Sequence, residues 1–435
     1  MLAAVVVSWP EATQERAPEA GPPTMRPQEP PARIRSVSVD FAQVVDPSTD
    51  WSAIDARLDE AGVNAVELSA GRVEFTAYDW PAHPEAAAEP GTDHLTQAAL
   101  GLHEAADGTV RQIGLIVDTY VPNWLAQHPA AAGVAADGRR SEYQASASEL
   151  THGEVGRRLV AYAGALAQRY DPAEISISEL FLDGYTFGAD DLRLYRRMTG
   201  QADWPRNADG SIDQDAPRIY AWRADVIARF LARVRTRLDA ARDGAGARIE
   251  LAMEVRIDWQ DPSRGDLRSG HDYEVLLGPA DRLVLWAYLY GIRRPVQIRQ
   301  VLASLERTGL AMTRLTVSVG LWKGGPKIED RGAIAPRTFR AALRAAETHG
   351  ITSVNVTPLS LMSERHWEVL ASVWDPPQPV GASTTASGSR TTTTVPRPGA
   401  LSIVRVPPWS ATTVWTKARP RPTPAIRRRR VSRER

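Results

Sequence analysis

The feature that most constrains this chain is a regular alternation of short apolar runs with longer amphipathic stretches. Runs rich in Val, Ile and Leu are typical of strands buried in a parallel sheet, and helical periods between them indicate repeated βα units. The predicted strands are Ile34–Asp40, Ala65–Ser69, Ile113–Asp118, Ile175–Phe181, Ile249–Ile257, Leu283–Leu289, Leu315–Leu321 and Ser353–Thr357. The predicted helices are Trp51–Ala61, Gly153–Arg169, Arg218–Arg242, Val296–Gly309, Pro336–Gly350 and Ser363–Val373. Eight strands in this order favour a closed (β/α)₈ TIM barrel, a single α/β domain, over an open sheet.

The side chains within each run alternate in polarity. In the fifth run Leu251, Met253 and Val255 are apolar, while Glu250 and Glu254 are charged. A barrel strand sends alternate residues to the surrounding helices and to the interior. The sequence therefore predicts that the barrel interior is polar near its upper rim.

The two ends of the chain differ in composition from the middle. Residues 9–33 are rich in Pro, Glu and Ala, and residues 376–435 in Pro, Thr, Ser and Arg. Segment 1–33 is therefore predicted to be disordered or a remnant signal or linker, and segment 376–435 to be disordered. The barrel is assigned to residues 34–375. From residue 376 onward twelve Arg and Lys stand against one Glu, so the formal net charge of zero combines an acidic body with a basic tail. Because the net charge of the whole chain is zero, it gives no indication of a nucleic-acid partner.

Two interpretations of the apolar start, Met1–Ser8, remain open: a truncated remnant of a signal peptide, or a disordered start. Secretion to the cell envelope and a cytoplasmic location therefore both remain open. The sequence contains no apolar run of 18 residues, so no transmembrane segment is predicted.

The sequence lacks the residues and motifs that several kinds of functional site require. The chain has no Cys, which excludes disulfides, thiolate metal sites and cysteine nucleophiles, and its eight His form no HExxH pair. No phosphate-binding loop and no G-x-S-x-G motif occurs. We therefore predict neither a metal nor a cofactor.

Acidic residues are concentrated at the carboxyl ends of the predicted strands, where ligands bind in this fold. By their alternation, four or five of them point inward together with one arginine. These residues are Asp40, Glu67, Asp118, Glu254, Arg256 and Asp258. Burying one carboxylate without a partner costs several kcal/mol, so a converging set indicates a polar ligand, cations or proton transfer. A structural network of ion pairs is the alternative.

Two further acids follow the fourth strand. Alternation places Glu179 with Ile175 and Ile177 on the helix-facing side, unless a bulge near Ser178 turns it into the cleft. Because an acid within an apolar run is costly, we expect the bulge. Asp183 lies in the following loop, either as a loop acid or in an Asp-Gly turn.

Aromatic residues accompany these acids. Trp286, Tyr288 and Trp322 fall on inward positions or strand tips, Tyr120 follows the third strand, and Asn355 lies on the last. Sugar rings stack their C–H faces on aromatic rings, while their hydroxyls bind carboxylates and amides. The combination is typical of a carbohydrate-binding cleft, although each aromatic could equally serve packing.

Four segments between Glu174 and Trp374 resemble a family of bacterial glycoside-hydrolase-like (β/α)₈ barrels related to the C-terminal hydrolase domain of PgaB. They are Ser178–Tyr185 (SELFLDGY), Leu194–Gly200 (LYRRMTG), Leu285–Tyr288 (LWAY) and Asn355–Leu359 (NVTPL). In that family an acidic pair after strand four supplies catalysis, and here Asp183 is followed by Gly184 where the second acid would stand. The resemblance implies hydrolysis of a polysaccharide.

The leading hypothesis is therefore a glycoside hydrolase that acts on a polysaccharide or exopolysaccharide by carboxylate acid/base chemistry. Glu179 or Asp183 would serve as general acid, with Glu254 as its partner. Two alternatives remain: a carbohydrate-binding barrel without catalysis, and a lyase or isomerase that holds a divalent cation with Asp118, Glu179 and Glu254.

Overall fold

A closed barrel of eight parallel strands forms the centre of the molecule. The structure is a computed structural model that describes residues 25–26, 31–241, 248–324 and 332–374. Its strands are β1 Ile34–Val39, β2 Ala65–Arg72, β3 Gln112–Asp118, β4 Glu174–Ser178, β5 Glu250–Val255, β6 Arg282–Trp286, β7 Leu315–Gly320 and β8 Ser353–Thr357. Neighbours pair in chain order, and β1 pairs with both β2 and β8, which closes the sheet. The predicted (β/α)₈ fold is thus confirmed.

Helices surround the strands. The longer ones are α1 Trp51–Glu60, α2 His94–Leu102, α3 Glu154–Tyr170, α4 Ala189–Thr199, α5 Pro217–Ala240, α6 Pro295–Arg307, α7 Pro336–Ala346 and α8 Glu364–Trp374. Short helices span Phe41–Val44, Pro122–Gln127, Ala147–His152 and Tyr273–Leu276. Helix α2 was not predicted, and it begins where the Asp93 carboxylate accepts a hydrogen bond from the Thr96 amide. No helix within the described ranges is long and apolar enough to cross a membrane.

The apolar core lies between the strands and the helices. Side chains that point outward from the strands, such as Val37, Leu68, Leu115 and Leu251, have no exposed surface. The inward positions are mostly polar, as the alternation predicted. A narrow cavity inside the barrel is lined by three apolar residues, Ile34, Ile116 and Val284, and by the polar residues Ser36, Ser38, Glu67, Gln112, Glu174, Ser176, Glu254, Thr316, Ser353 and Asn355. Polar groups can therefore reach the upper rim from within.

Two residues ahead of the predicted barrel boundary at residue 34 lie against the amino-terminal ends of the strands. Met25 is 1% exposed, and its carbonyl accepts a hydrogen bond from the Ile113 amide. Arg26 donates to the carbonyls of Pro172 and Arg248. The predicted disordered segment 1–33 thus contains residues that pack on the barrel. The apolar start, Met1–Ser8, and the basic tail lie outside the described residues.

Candidate active site

Glu179 enters the cleft through an unusual backbone conformation. Strand β4 ends at Ser178, three residues earlier than predicted, and Glu179 has a φ of 57°, in the left-handed region. A left-handed residue, rather than the predicted bulge, turns the side chain to the barrel interior. There the Tyr120 hydroxyl donates a hydrogen bond to its carboxyl group.

Glu254 stands on an inward position of β5. Its Oε2 accepts hydrogen bonds from the Ser178 hydroxyl at 2.9 Å and from the Trp286 indole N–H at 2.7 Å. Burial raises the pKa of Glu254, and these two donors oppose the rise because they stabilise the charged form. The carboxylate is therefore fixed in one orientation while Oε1 is left for other contacts.

Asp118 ends strand β3 beside these two acids. Its Oδ2 accepts from Arg72 Nε at 2.7 Å, and its Oδ1 accepts from the Tyr120 amide at 2.8 Å. Burial raises the pKa of Asp118, and the Arg72 charge opposes the rise. Asp118 is thus half of a partly buried ion pair at the edge of the cleft.

The three acids act on one another electrostatically. The pKa of Glu179 is raised to about 8, first by burial and then by the charges of Asp118 and Glu254, against the opposing charge of Arg256. Carboxyl groups that share a water-poor site cannot all ionise easily, so one retains its proton. The raised pKa of Glu179 favours its protonated form at neutral pH.

Asp183 lies on the other side of Glu179. Its Oδ2 forms an ion pair with Arg256 at 3.0 Å, and the Arg256 guanidinium lies 3.5 Å from the centre of the Phe181 ring. The Ser269 hydroxyl accepts a further hydrogen bond from Arg256 at 3.2 Å. Asp183 therefore fixes the cation that opposes protonation of Glu179.

Glu67 lies within the barrel, where it interacts electrostatically with Glu254 and Glu174. Burial raises its pKa, and its Oε2 has no hydrogen-bond partner among the described residues. Gly114 makes room for this carboxyl group, since a Cβ there would lie 1.9 Å from Oε2. Glu174 is paired with Arg282 at 3.6 Å. A chain of acids therefore continues from the cleft into the barrel.

An aromatic wall stands beside Glu254. Tyr288 stacks on Trp286 with ring centres 5.5 Å apart, and Trp322 lies 5.0 Å from Tyr288. Gly320 admits the Tyr288 ring, because a Cβ there would lie 2.4 Å from it. Trp286 is 7% exposed and is occupied by its bond to Glu254, whereas Tyr288 and Trp322 are half-buried. The latter two are the rings that a ligand can reach.

Three predicted binding residues have other contacts. Asp40 accepts a hydrogen bond from Ser360, and burial raises its pKa. Asp258 accepts from the amides of its own turn, at residues 260 and 261. Asn355 is 3% exposed, and its amide bonds to three serines inside the barrel, namely Ser36, Ser38 and Ser318. The structure thus uses Asn355 to join β1, β7 and β8.

Three residues of the site were not predicted from the sequence: Arg72, Glu174 and His271. Arg72 lies beyond the predicted end of β2, after a register shift between Ser69 and Gly71. Glu174 has the same parity as Ser176, so a strand begun one residue earlier would have revealed it. His271 is fully buried in a loop and has no sequence signal.

The barrel is similar to solved structures of glycoside hydrolases. The glycoside hydrolase domain of PgaB (BpsB) from Bordetella bronchiseptica has 16% identity and a TM-score of 0.60, over 79% of this chain and 99% of that one. The β-galactosidase from Bacillus circulans sp. alkalophilus has 12% identity and a TM-score of 0.56, over 79% of this chain and 55% of that one. The catalytic domain of β-amylase from Paenibacillus polymyxa has 11% identity and a TM-score of 0.52, over 77% and 95% respectively.

These likenesses establish the fold, a (β/α)₈ barrel similar to those of the solved glycoside hydrolases, as the sequence resemblance implied. No protein-family model and no curated protein matches the chain.

Proposed function

We propose that this barrel hydrolyses glycosidic bonds in a polysaccharide or oligosaccharide. The observation that carries the proposal is the contrast between two neighbouring acids in the cleft. Glu179 has a pKa raised to about 8, while the Glu254 carboxylate is held by two hydrogen-bond donors. Glycosidases need one acid that is protonated at working pH and a second that is ionised. The named structural neighbours, a PgaB hydrolase domain, a β-galactosidase and a β-amylase, support a carbohydrate substrate.

In the proposed reaction Glu179 donates its proton to the leaving glycosidic oxygen. In one route Glu254 attacks the anomeric carbon, and a water that gives its proton to Glu179 then hydrolyses the resulting glycosyl ester. In the other route Glu254 takes the proton of a water that attacks the anomeric carbon directly. Tyr288 and Trp322 would stack against the sugar rings. Retention follows if the two carboxyl groups are about 5 Å apart, and inversion if they are roughly 6.5–9.5 Å apart.

The experiment is an assay of reducing-end release on a panel of polysaccharides. Glu179→Gln keeps the shape of the side chain and loses the proton, so we expect turnover to fall roughly 10²–10⁴-fold. Asp183→Asn tests the alternative acid, which is bound to Arg256. Asp258→Asn is the matched control, because this acid follows β5 as well but, among the described residues, accepts its hydrogen bonds from its own turn.

Three outcomes would contradict the assignment. Full activity in Glu179→Gln would exclude Glu179 as the acid, and loss in Asp183→Asn alone would transfer the role to Asp183. Binding of glycans by a wild type that never cleaves them would favour the carbohydrate-binding barrel. Activity that depends on an added divalent cation and is lost with a chelator would favour the lyase or isomerase.

A further inference from the structure

The backbone at Glu179 needs support from elsewhere in the chain. A left-handed conformation is unfavourable for a residue with a long side chain and persists only where surrounding groups fix it. The residues before and after Glu179, Ser178 and Leu180, each have a backbone carbonyl that accepts a hydrogen bond from elsewhere in the chain. On one side the Ser178 carbonyl accepts from the amide and the hydroxyl of Thr119, at 3.2 and 3.1 Å.

On the other side the support comes from a distant histidine. The Leu180 carbonyl accepts a hydrogen bond from Nε2 of His271 at 2.8 Å, although the two residues are 91 positions apart. His271 is fully buried, and burial lowers its pKa to about 4. The neutral ring therefore has one donor and one acceptor.

The second ring nitrogen of His271 accepts a hydrogen bond from the residue that follows β5. Nδ1 accepts a hydrogen bond from the backbone amide of Arg256 at 2.9 Å, so the proton is on Nε2. Arg256 follows Glu254 by two residues. One rigid ring thus joins the Leu180 carbonyl, one peptide beyond Glu179, to the residue that follows the strand carrying Glu254.

We propose that His271 is a positioning residue that fixes the Glu179 carboxyl group relative to Glu254. The inference rests on the proposed function for its kinetic consequences only, since the position and titration of Glu179 can be measured without a substrate. Loss of the bond to Leu180 releases the left-handed turn and lets Glu179 move toward water. The groups that face its carboxyl are Asp118 at the end of β3, Tyr120 after β3, Glu254 on β5, Arg256 directly after β5, and Tyr288 after β6.

Two amide variants separate the two bonds of His271. In His271→Gln the amide nitrogen reaches the place of Nε2 and can still donate to Leu180. In His271→Asn the shorter amide reaches the place of Nδ1 and can accept from Arg256, but not donate to Leu180. We expect His271→Asn to lower kcat roughly 10²-fold with little change in KM. His271→Gln should keep most of kcat.

A titration of Glu179 gives the readout that does not depend on activity. In ¹³C-glutamate NMR spectra, with Glu179→Gln used for assignment, His271→Asn should lower the pKa of Glu179 toward its ordinary value. His271→Gln should leave it near that of the wild type. If no glycan is cleaved by the wild type but this pattern appears, the proposed function fails and the positioning role stands.

The matched control is His366, another buried histidine that bridges two backbone segments. Its Nε2 bonds the Ile334 carbonyl at 2.8 Å and its Nδ1 bonds Ser363. His366→Asn should lower the melting temperature but leave the Glu179 titration unchanged. Wild-type titration and kcat in His271→Asn would overturn the proposal. If that variant does not fold, His271→Ala with added imidazole replaces it, and a kcat that imidazole does not raise would count against the role.

Discussion

The indole N–H of Trp286 donates to Oε2 of Glu254 at 2.7 Å, so an aromatic residue of the cleft wall acts on the charge of a candidate catalytic acid. Trp286→Phe keeps the ring but removes this donor. A hydrogen bond to a charged group stabilises the ionised form, so without this donor the pKa of Glu254 should rise further. Because Glu254 must be ionised, the acidic limb of the kcat/KM profile should move to higher pH.

Ser178→Ala removes the other donor to the same oxygen and should move the limb in the same direction. If the limb stays in place in both variants, Glu254 is not the group that titrates there.

The raised pKa of Glu179 sets the opposite limb. A general acid must be protonated, so activity should fall as pH rises through about 8. The pKa of Glu179 is this high mainly because its carboxyl group is buried, and further because the charges of Asp118 and Glu254 favour the protonated form. Asp118→Asn removes one of the two charges and should move the basic limb to lower pH. A pH profile of kcat/KM, which reports the pKa values of the free enzyme, measures both effects. A basic limb that does not move would show that it belongs to another group.

Gly114 and Glu67 form a pair whose coupling can be measured. A Cβ at Gly114 would meet the Glu67 carboxyl, so Gly114→Ala should destabilise the protein by roughly 1–3 kcal/mol. In a Glu67→Ala background the methyl group has space, and the cost should largely disappear. Urea unfolding of the four proteins gives the coupling free energy. Additive effects would mean that the backbone, not Glu67, limits position 114.

The first described residues provide a test of the domain boundary. Met25 is almost fully buried, so Met25→Ala should cost roughly 2–5 kcal/mol. A protein shortened to begin at residue 25 should keep its melting temperature, whereas one that begins at residue 31 should lose several degrees. Equal melting temperatures would restore the sequence-based expectation that the first 33 residues are dispensable.

The sequence predicted the barrel because its signals are local. Strand β8 was assigned with correct bounds, and the polar interior followed from alternation within single strands such as β5. The end of β4 could not be predicted in this way. The turn at Glu179 depends on Thr119 and His271, which lie 60 and 92 positions away, so nothing adjacent in sequence reveals it.

The role of Asn355 shows the same limit. Alternation correctly placed it inside the barrel, but alternation does not give height along the barrel axis or the partners at that height. Three serines from neighbouring strands satisfy its amide.

The last prediction concerns Glu174 and the pH dependence of stability. Burial raises the pKa of Glu174 to about 7, with the Arg282 charge opposing and the Glu250 charge adding to the rise. The folded protein therefore holds this proton more tightly than the unfolded chain, where the ordinary value is 4.5. Between pH 4.5 and about 7, Glu174 is ionised in the unfolded chain but still protonated in the folded protein. Its contribution to the free energy of unfolding therefore falls as pH rises through this range, and it stays constant above about pH 7.

Glu174→Gln replaces this titrating carboxyl group with an amide that does not ionise. Relative to the wild type, the variant should gain up to about 3 kcal/mol of unfolding free energy between pH 4.5 and pH 8, since 2.5 pKa units correspond to that amount. Urea unfolding at the two pH values measures the difference, and Glu274→Gln, at the protein surface, serves as the control. A difference that is the same at both pH values would mean that the ion pair with Arg282 keeps Glu174 charged in the folded state. The acids inside the barrel would then be separate from the protonated acid proposed for the cleft.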